Sequence, residues 1–129
     1  MPGKKLKFQY RAEHDVVIVT VDWTIDTEDD LDPWFQEYAT YFRKHFKRKV
    51  DAIFDLTKFH LNPRMARRFG EVRAKLLREY MRRTYRVNLE PVAKTAMYTS
   101  HVLHGAPAND FPSIEAAMQQ LFADRAQDR

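Results

Sequence analysis

The chain has 129 residues, of which 44% are hydrophobic and 13% aromatic, the size and apolar content of one domain around one core. It contains no cysteine, which excludes disulfides, thiolate zinc sites and a cysteine nucleophile and fits a reducing compartment such as the cytoplasm. The formal net charge of +4 is too modest an excess to select a class of partner by itself.

Met1 to Lys7 is basic but lacks the continuous apolar run of a signal peptide. The longest unbroken apolar run, Val16 to Val19, is far too short to span a bilayer. Leu6, Phe8 and Tyr10 alternate with Lys7, Gln9 and Arg11, the period of a strand with one wet face. His14 and Asp15 then supply a tight connection into Val16 to Val21, whose β-branched residues predict a strand covered on both faces and a hairpin with the first.

Six acids and no base stand between Asp22 and Asp32 (Asp22, Asp26, Glu28, Asp29, Asp30, Asp32). Asp32 followed by Pro33 predicts an N-cap and first helical residue. Leu31, Trp34, Phe35, Tyr38, Phe42 and Phe46 mark the buried face of that helix, and Arg43, Lys44, Lys47, Arg48 and Lys49 complement its negative end. Val50 to Leu56 reads as a central strand with Asp55 near its end, and Thr57 to Leu61 as the loop leaving it. Asn62 and Pro63 repeat the cap pattern and open a helix expected to run to about Tyr85, with a core stripe of Met65, Phe69, Val72, Leu76 and Tyr80. Val92 to Ser100 alternates as a further strand, and His101 to Asp110 reads as loop. After Pro112 and Ser113, Ile114, Ala117, Met118, Leu121 and Phe122 define a last amphipathic helix. The expected order is ββαβαβα in a single α/β domain over residues 1–129.

That order, with the Val16 to Val21 strand, the run VDAIFDL leading to an N-capped helix, and the closing FPSIEAAMQQLFA, resembles the STAS family of anti-sigma-factor antagonists and sulfate-transporter tails. The resemblance covers roughly Leu6 to Ala123 and implies a mixed sheet of four to five strands flanked by helices. It also implies an acid at the end of the central strand, which Asp55 matches, and a phosphorylatable hydroxyl at the start of the next helix. This chain has His60, Leu61, Asn62, Pro63 and Arg64 there, so the hydroxyl is missing and Thr57 is the nearest candidate. Stand-alone relatives of this kind are also similar to the CRAL-TRIO lipid-binding fold.

The second long helix carries the strongest charge signal. Between Asn62 and Arg86 stand nine Arg or Lys against Glu71 and Glu79. At about 100° per residue, Arg64, Arg67, Arg68, Lys75, Arg78 and Arg82 fall on one arc beside the apolar stripe. A solvated outer face is the ordinary use of such an arc; contact with an acidic protein surface or with phosphate is the functional one. The acid run lacks the spacing and glycine of a calcium loop and favours a helix N-terminus or association with a second copy's basic helix. The five histidines, among them His101 and His104 at i, i+3, form no zinc motif. With three glycines in all, Gly3, Gly70 and Gly105, there is no phosphate-cradling loop, and neither Ser100 nor Ser113 lies in a nucleophile elbow. The expectation is therefore a regulatory or protein-interaction module without catalysis, cofactor or metal. Its contact surface is expected at Asp55, Thr57, Lys58, His60, Asn62, Arg64, Arg67 and Arg68. The runner-up is a pocket between helices and sheet for a lipid or small anionic ligand, rimmed by Arg64, Arg67 and Arg68; nucleic-acid binding ranks last. A homodimer is compatible with either reading.

Overall fold

Strands β1 (Lys4–Arg11) and β2 (Val16–Ile25) pair antiparallel across a tight turn. In that turn Asp15 takes φ 51°, a left-handed conformation that an aspartate tolerates better than most residues. Strand β3 (Val50–Leu61) runs parallel to β2, β4 (Met81–Val87) parallel to β3, and the two-residue β5 (Asp110–Phe111) parallel to β4, giving the spatial order β1-β2-β3-β4-β5. Parallel neighbours need crossovers, and α1 (Leu31–His45) and α2 (Ala66–Tyr80) supply them. Both crossovers step the same way along the sheet, so a common right hand puts both helices on one face. A third helix, α3 (Ile114–Gln127), covers the other face. These coordinates come from a computed structural model that describes residues 4–88 and 110–128.

The strand period sorts the core into two layers. Val17, Val19, Val21, Trp23 and Ile25 of β2 face α1 and α2 together with Ala52, Phe54 and Leu56 of β3, in a layer rich in aromatics. Val16, Ile18, Ile53, Tyr85 and Val87 face Ala117, Met118 and Leu121 of α3 in a smaller one. Beyond Ile18 the α3-side positions of β2 turn polar, at the exposed Thr20 and the half-buried Asp22 and Thr24.

Several expected boundaries move. Helix α1 is not capped by Asp32. A 3-10 turn over Glu28–Asp30 precedes it, where the Asp30 carboxylate accepts from the backbone N–H groups of Asp26 and Thr27, both at 2.9 Å. Pro33 lies inside the first turn of α1, where its missing N–H costs nothing. The helix stops at His45, so Lys47, Arg48 and Lys49 lie in the turn beyond it.

Strand β3 does not end at Leu56. The expected loop, Thr57 to Leu61, is five more residues of strand, because Phe59 and Leu61 resume the buried alternation opposite Trp23 and Ile25 after a β-bulge. Asn62 does cap the following turn, with Pro63 first in a 3-10 turn over Pro63–Met65. Helix α2 ends at Tyr80 rather than Tyr85: Thr84, Tyr85, Arg86 and Val87 are all buried in β4. A run buried on both faces is inner strand, not the continuation of an amphipathic helix. Asp110, expected in a loop, begins β5. The strand expected over Val92 to Ser100, and His101 and His104, lie outside the described residues. Ser113 caps α3, its hydroxyl accepting from Ala116 N–H at 3.1 Å, while Phe122 stays 41% exposed and stacks at a tilt on His14 rather than entering the core. No helix among the described residues is long and apolar enough to cross a membrane.

Candidate functional site

The exit of β3 into α2 is held by one side chain. Asn62 donates its backbone N–H to the Ile25 carbonyl at 2.8 Å, and its Oδ1 accepts from Arg64 N–H at 3.1 Å, the capping bond of an Asx residue. Its Nδ2 donates to Asp26 Oδ1 at 2.8 Å and to the Asp26 carbonyl at 3.3 Å. Asn62 thus ties the ends of β2 and β3 to the start of α2. Beside it, Arg68 Nε donates to Glu28 Oε1 at 2.7 Å, and Arg68 Nη1 lies 3.5 Å from Glu71. The Glu28 hydrogen bond raises the Arg68 pKa. The acidic run and the basic helix are therefore neighbours that pair within one chain, not two separate poles. Arg64 is exposed, and Arg67, 88% exposed at its side chain, approaches Glu71 only at 3.9 Å.

The strand members of the expected surface point elsewhere. Phe59 and Leu61 are buried against α1 and α2, so Lys58 and His60, which pair with Asp22 and Thr24, project from the opposite face of the sheet. Asp55, paired with Thr20, is on that face too. The eight residues are thus divided by the sheet: Asp55, Lys58 and His60 on the α3 side, Arg64 in the 3-10 turn and Arg67 and Arg68 on α2, with Asn62 at the junction. Thr57, at the bulge, donates its hydroxyl to Asp55 Oδ1 at 2.6 Å and accepts from Asn88 Nδ2 at 3.1 Å. A hydroxyl engaged on both sides, against a carboxylate, is a locking element of the bulge.

Between the sheet and the two crossover helices lies a cavity of about 20 Å³, almost wholly apolar apart from Trp34, Tyr38, Arg73 and Arg86. Arg64, Arg67 and Arg68 do not line it. Sequence reasoning missed both arginines that do. Arg73 follows Phe69 by four residues and precedes Leu77 by four, so it occupies the buried stripe of α2; Arg86 sits between Tyr85 and Val87 in β4. They are 2% and 1% exposed. Burial, and then the neighbouring Arg86, hold the Arg73 pKa well below the ordinary guanidinium value. Burial brings Arg86 down to about 9 against the opposing influence of Asp110.

A second buried charge group sits at the other end of the sheet. Asp51 accepts from Arg83 N–H at 3.0 Å and from Arg125 Nε and Nη2 at 3.0 and 2.8 Å. Arg125 also donates to the carbonyls of His14 and Asp15, at 2.6 and 2.9 Å, and Arg83 pairs with Asp128. This network clamps α3 to the β1–β2 turn. Among the described residues no three His, Asp or Glu side chains are grouped to hold a metal ion.

No protein-family model matches the sequence, and no curated protein matches it. Among solved structures the chain is similar to the anti-sigma factor antagonist SpoIIAA in its unphosphorylated form. The match has a TM-score of 0.57 and 11% identity and covers 92% of this chain and 97% of that one. At that identity the likeness is one of architecture: a mixed five-stranded sheet with two crossover helices on one face and a closing helix on the other, which is a STAS-like fold.

Proposed function

We propose that the chain is a regulatory protein-interaction module without catalytic activity, which contacts a protein partner around the β3–α2 junction. The observation that carries this reading is the STAS-like fold, matched over nearly the whole length of an anti-sigma factor antagonist. Support for the surface comes from the junction itself. Asn62 makes it rigid through bonds to Ile25, Asp26 and Arg64, and a rigid support lowers the ordering cost of binding. Arg64 and Arg67 stand exposed on it, and planar guanidiniums suit carboxylates on a partner. Lys58 and His60, on the opposite face of the last residues of β3, continue the surface across the end of the sheet. Phosphate control at this junction is not part of the proposal, because the helix start offers Asn62, Pro63 and Arg64 and Thr57 is locked.

The test is photo-crosslinking in cells with a benzophenone amino acid at position 67, with position 44 on exposed α1 as control, followed by affinity measurement on whatever protein is captured. A protein captured only from position 67, and bound at least tenfold more weakly by the doubly substituted Arg64→Glu, Arg67→Glu variant, supports the reading. Equal capture from both positions, or unchanged affinity of that variant, overturns it.

A further inference from the structure

Strand β1 ends the sheet. Among the described residues it pairs with β2 alone, so one row of its backbone N–H and C=O groups faces away from the sheet, as on any edge strand. The two faces of this edge differ in chemistry. On the α1 side, Phe8 stacks on Tyr41 with ring centroids 4.1 Å apart, and Tyr10 meets Phe46 at 5.1 Å. Phe8, Tyr41 and Phe46 are only half-buried and Tyr10 is 39% exposed, so aromatic surface borders the edge. On the other face Lys5, Lys7, Gln9 and Arg11 alternate with those rings. Helix α3 packs on β2, β3 and β4, which leaves Lys5, Lys7 and Gln9 exposed and Arg11 half-buried. The facing positions of β2 supply one acid, Asp22 opposite Lys5; Thr20 lies opposite Lys7, and Val16 opposite Arg11.

These two faces select an occupant. A further strand laid along β1 places alternate side chains beside the rings and the intervening ones beside Lys5, Lys7 and Arg11. A second copy of β1 does not fit, in either direction. Strand pairing brings residues of one face together, so bases would meet bases, the usual protection of an edge against its own kind. Acids at those positions make the same cross-strand contacts favourable. We propose that the β1 edge accepts an extended segment of a protein partner in which acidic residues alternate with apolar ones, added to the five-stranded sheet as a further strand. Backbone hydrogen bonds supply its affinity, and the basic row opposed to the aromatic side fixes its register and selectivity. The proposal does not rest on the β3–α2 reading, and Arg64 and Arg67 are unchanged in every variant that tests it.

The probe is the capped peptide Glu-Val-Glu-Phe-Glu-Val-Glu, with an analogue carrying Lys for every Glu as control. Titrated into the ¹⁵N-labelled whole chain, the acidic peptide is expected to slow hydrogen exchange at alternate amides of β1, the pattern an added strand leaves. Exchange unchanged along β1 at millimolar peptide overturns the proposal. Methylating one set of alternate peptide nitrogens removes the donors that face β1 without altering charge and is expected to abolish the protection, whereas methylating the other set is tolerated. Equal effects of the two sets overturn strand addition. The doubly substituted Lys5→Glu, Lys7→Glu variant changes two exposed side chains and is expected to bind the acidic peptide about tenfold more weakly and to prefer the lysine analogue. A folded variant that does not reverse the preference overturns the proposal.

Discussion

At the start of β3 a buried acid is surrounded by bases, whereas between the sheet and α2 two buried bases share one cavity. Asp51 accepts from Arg83 and Arg125, and Arg125 satisfies two backbone carbonyls with the same guanidinium. Arg73, by contrast, is held well below its ordinary pKa by burial and then by the neighbouring Arg86, and burial lowers Arg86 as well. Removing Asp51 from the first group leaves two positive charges without their buried counter-ion; removing one arginine from the second relieves a repulsion. The same burial is therefore offset by opposite charge in one place and disfavours charge in the other.

The largest expected effect breaks the Asp51 group. Asp51→Ala leaves Arg125 and Arg83 without their buried carboxylate and is expected to cost about 3–5 kcal/mol, read from urea denaturation midpoints at unchanged m-value. Asp51→Asn keeps an acceptor for Arg83 N–H and should lose visibly less. Equal losses for the two variants would mean that packing, not charge, governs that end of the sheet.

Next comes a carboxylate with intermediate surroundings. The hydrogen bond from Lys4, then those from the backbone at Thr27 and Asp26, hold the Asp30 pKa at about 2. Because the folded pKa lies below the unfolded one, the stabilisation is complete above the unfolded value near 4 and fades as pH falls toward 2. Its size is on the order of 2 kcal/mol, less a discount because Lys4 is half exposed. Asp30→Asn is expected to be less stable than wild type at pH 6 and to match it near pH 2. A stability gap that persists at pH 2 would assign the effect to the turn's geometry instead.

Arg73→Met sharpens the contrast. A flexible apolar side chain of similar length fills the space and ends the repulsion with Arg86, so the expected loss is smaller than the several kcal/mol for Asp51→Ala. A loss as large as that of Asp51→Ala would make Arg73 a partner in an ion pair as demanding as that of Asp51.

Why these charges escaped the sequence follows from what periodicity measures. Val16 to Val21, Val50 to Leu56 and the α1 stripe were legible because hydrophobic pattern and burial coincide there. The Asn62-Pro63 and Ser113 caps were legible because local chemistry alone fixes them. The β4 strand was not. Arg82, Arg83, Thr84 and Arg86 make it polar in composition, and Arg86 is buried where arginine is rarely found. Likewise His60 and Lys58 looked like loop because the bulge after Asp55 shifts the period by one. The expected contact residues divide for the same reason: Arg67 and Arg68 were read on a helix and lie on one, whereas Thr57, Lys58 and His60 were read as loop and lie in β3.

The smallest effect tests the surface limit of the comparison. Arg68 and Glu28 meet at 2.7 Å but are 49% and 60% exposed at their side chains, so water screens the pair and its coupling should not exceed about 0.5 kcal/mol. A double-mutant cycle with Arg68→Ala and Glu28→Ala measures that coupling without the separate costs of each truncation. The value should shrink further in 1 M salt, where the Debye length falls to about 3 Å, while the Asp51 group, screened by protein rather than by ions, keeps its full cost. A coupling above 1 kcal/mol that survives salt would place the acidic turn and α2 in one rigid unit. Arg64 and Arg67 would then be presented by a support as firm as the core, and substitutions at Glu28 would reach partner binding as well as stability.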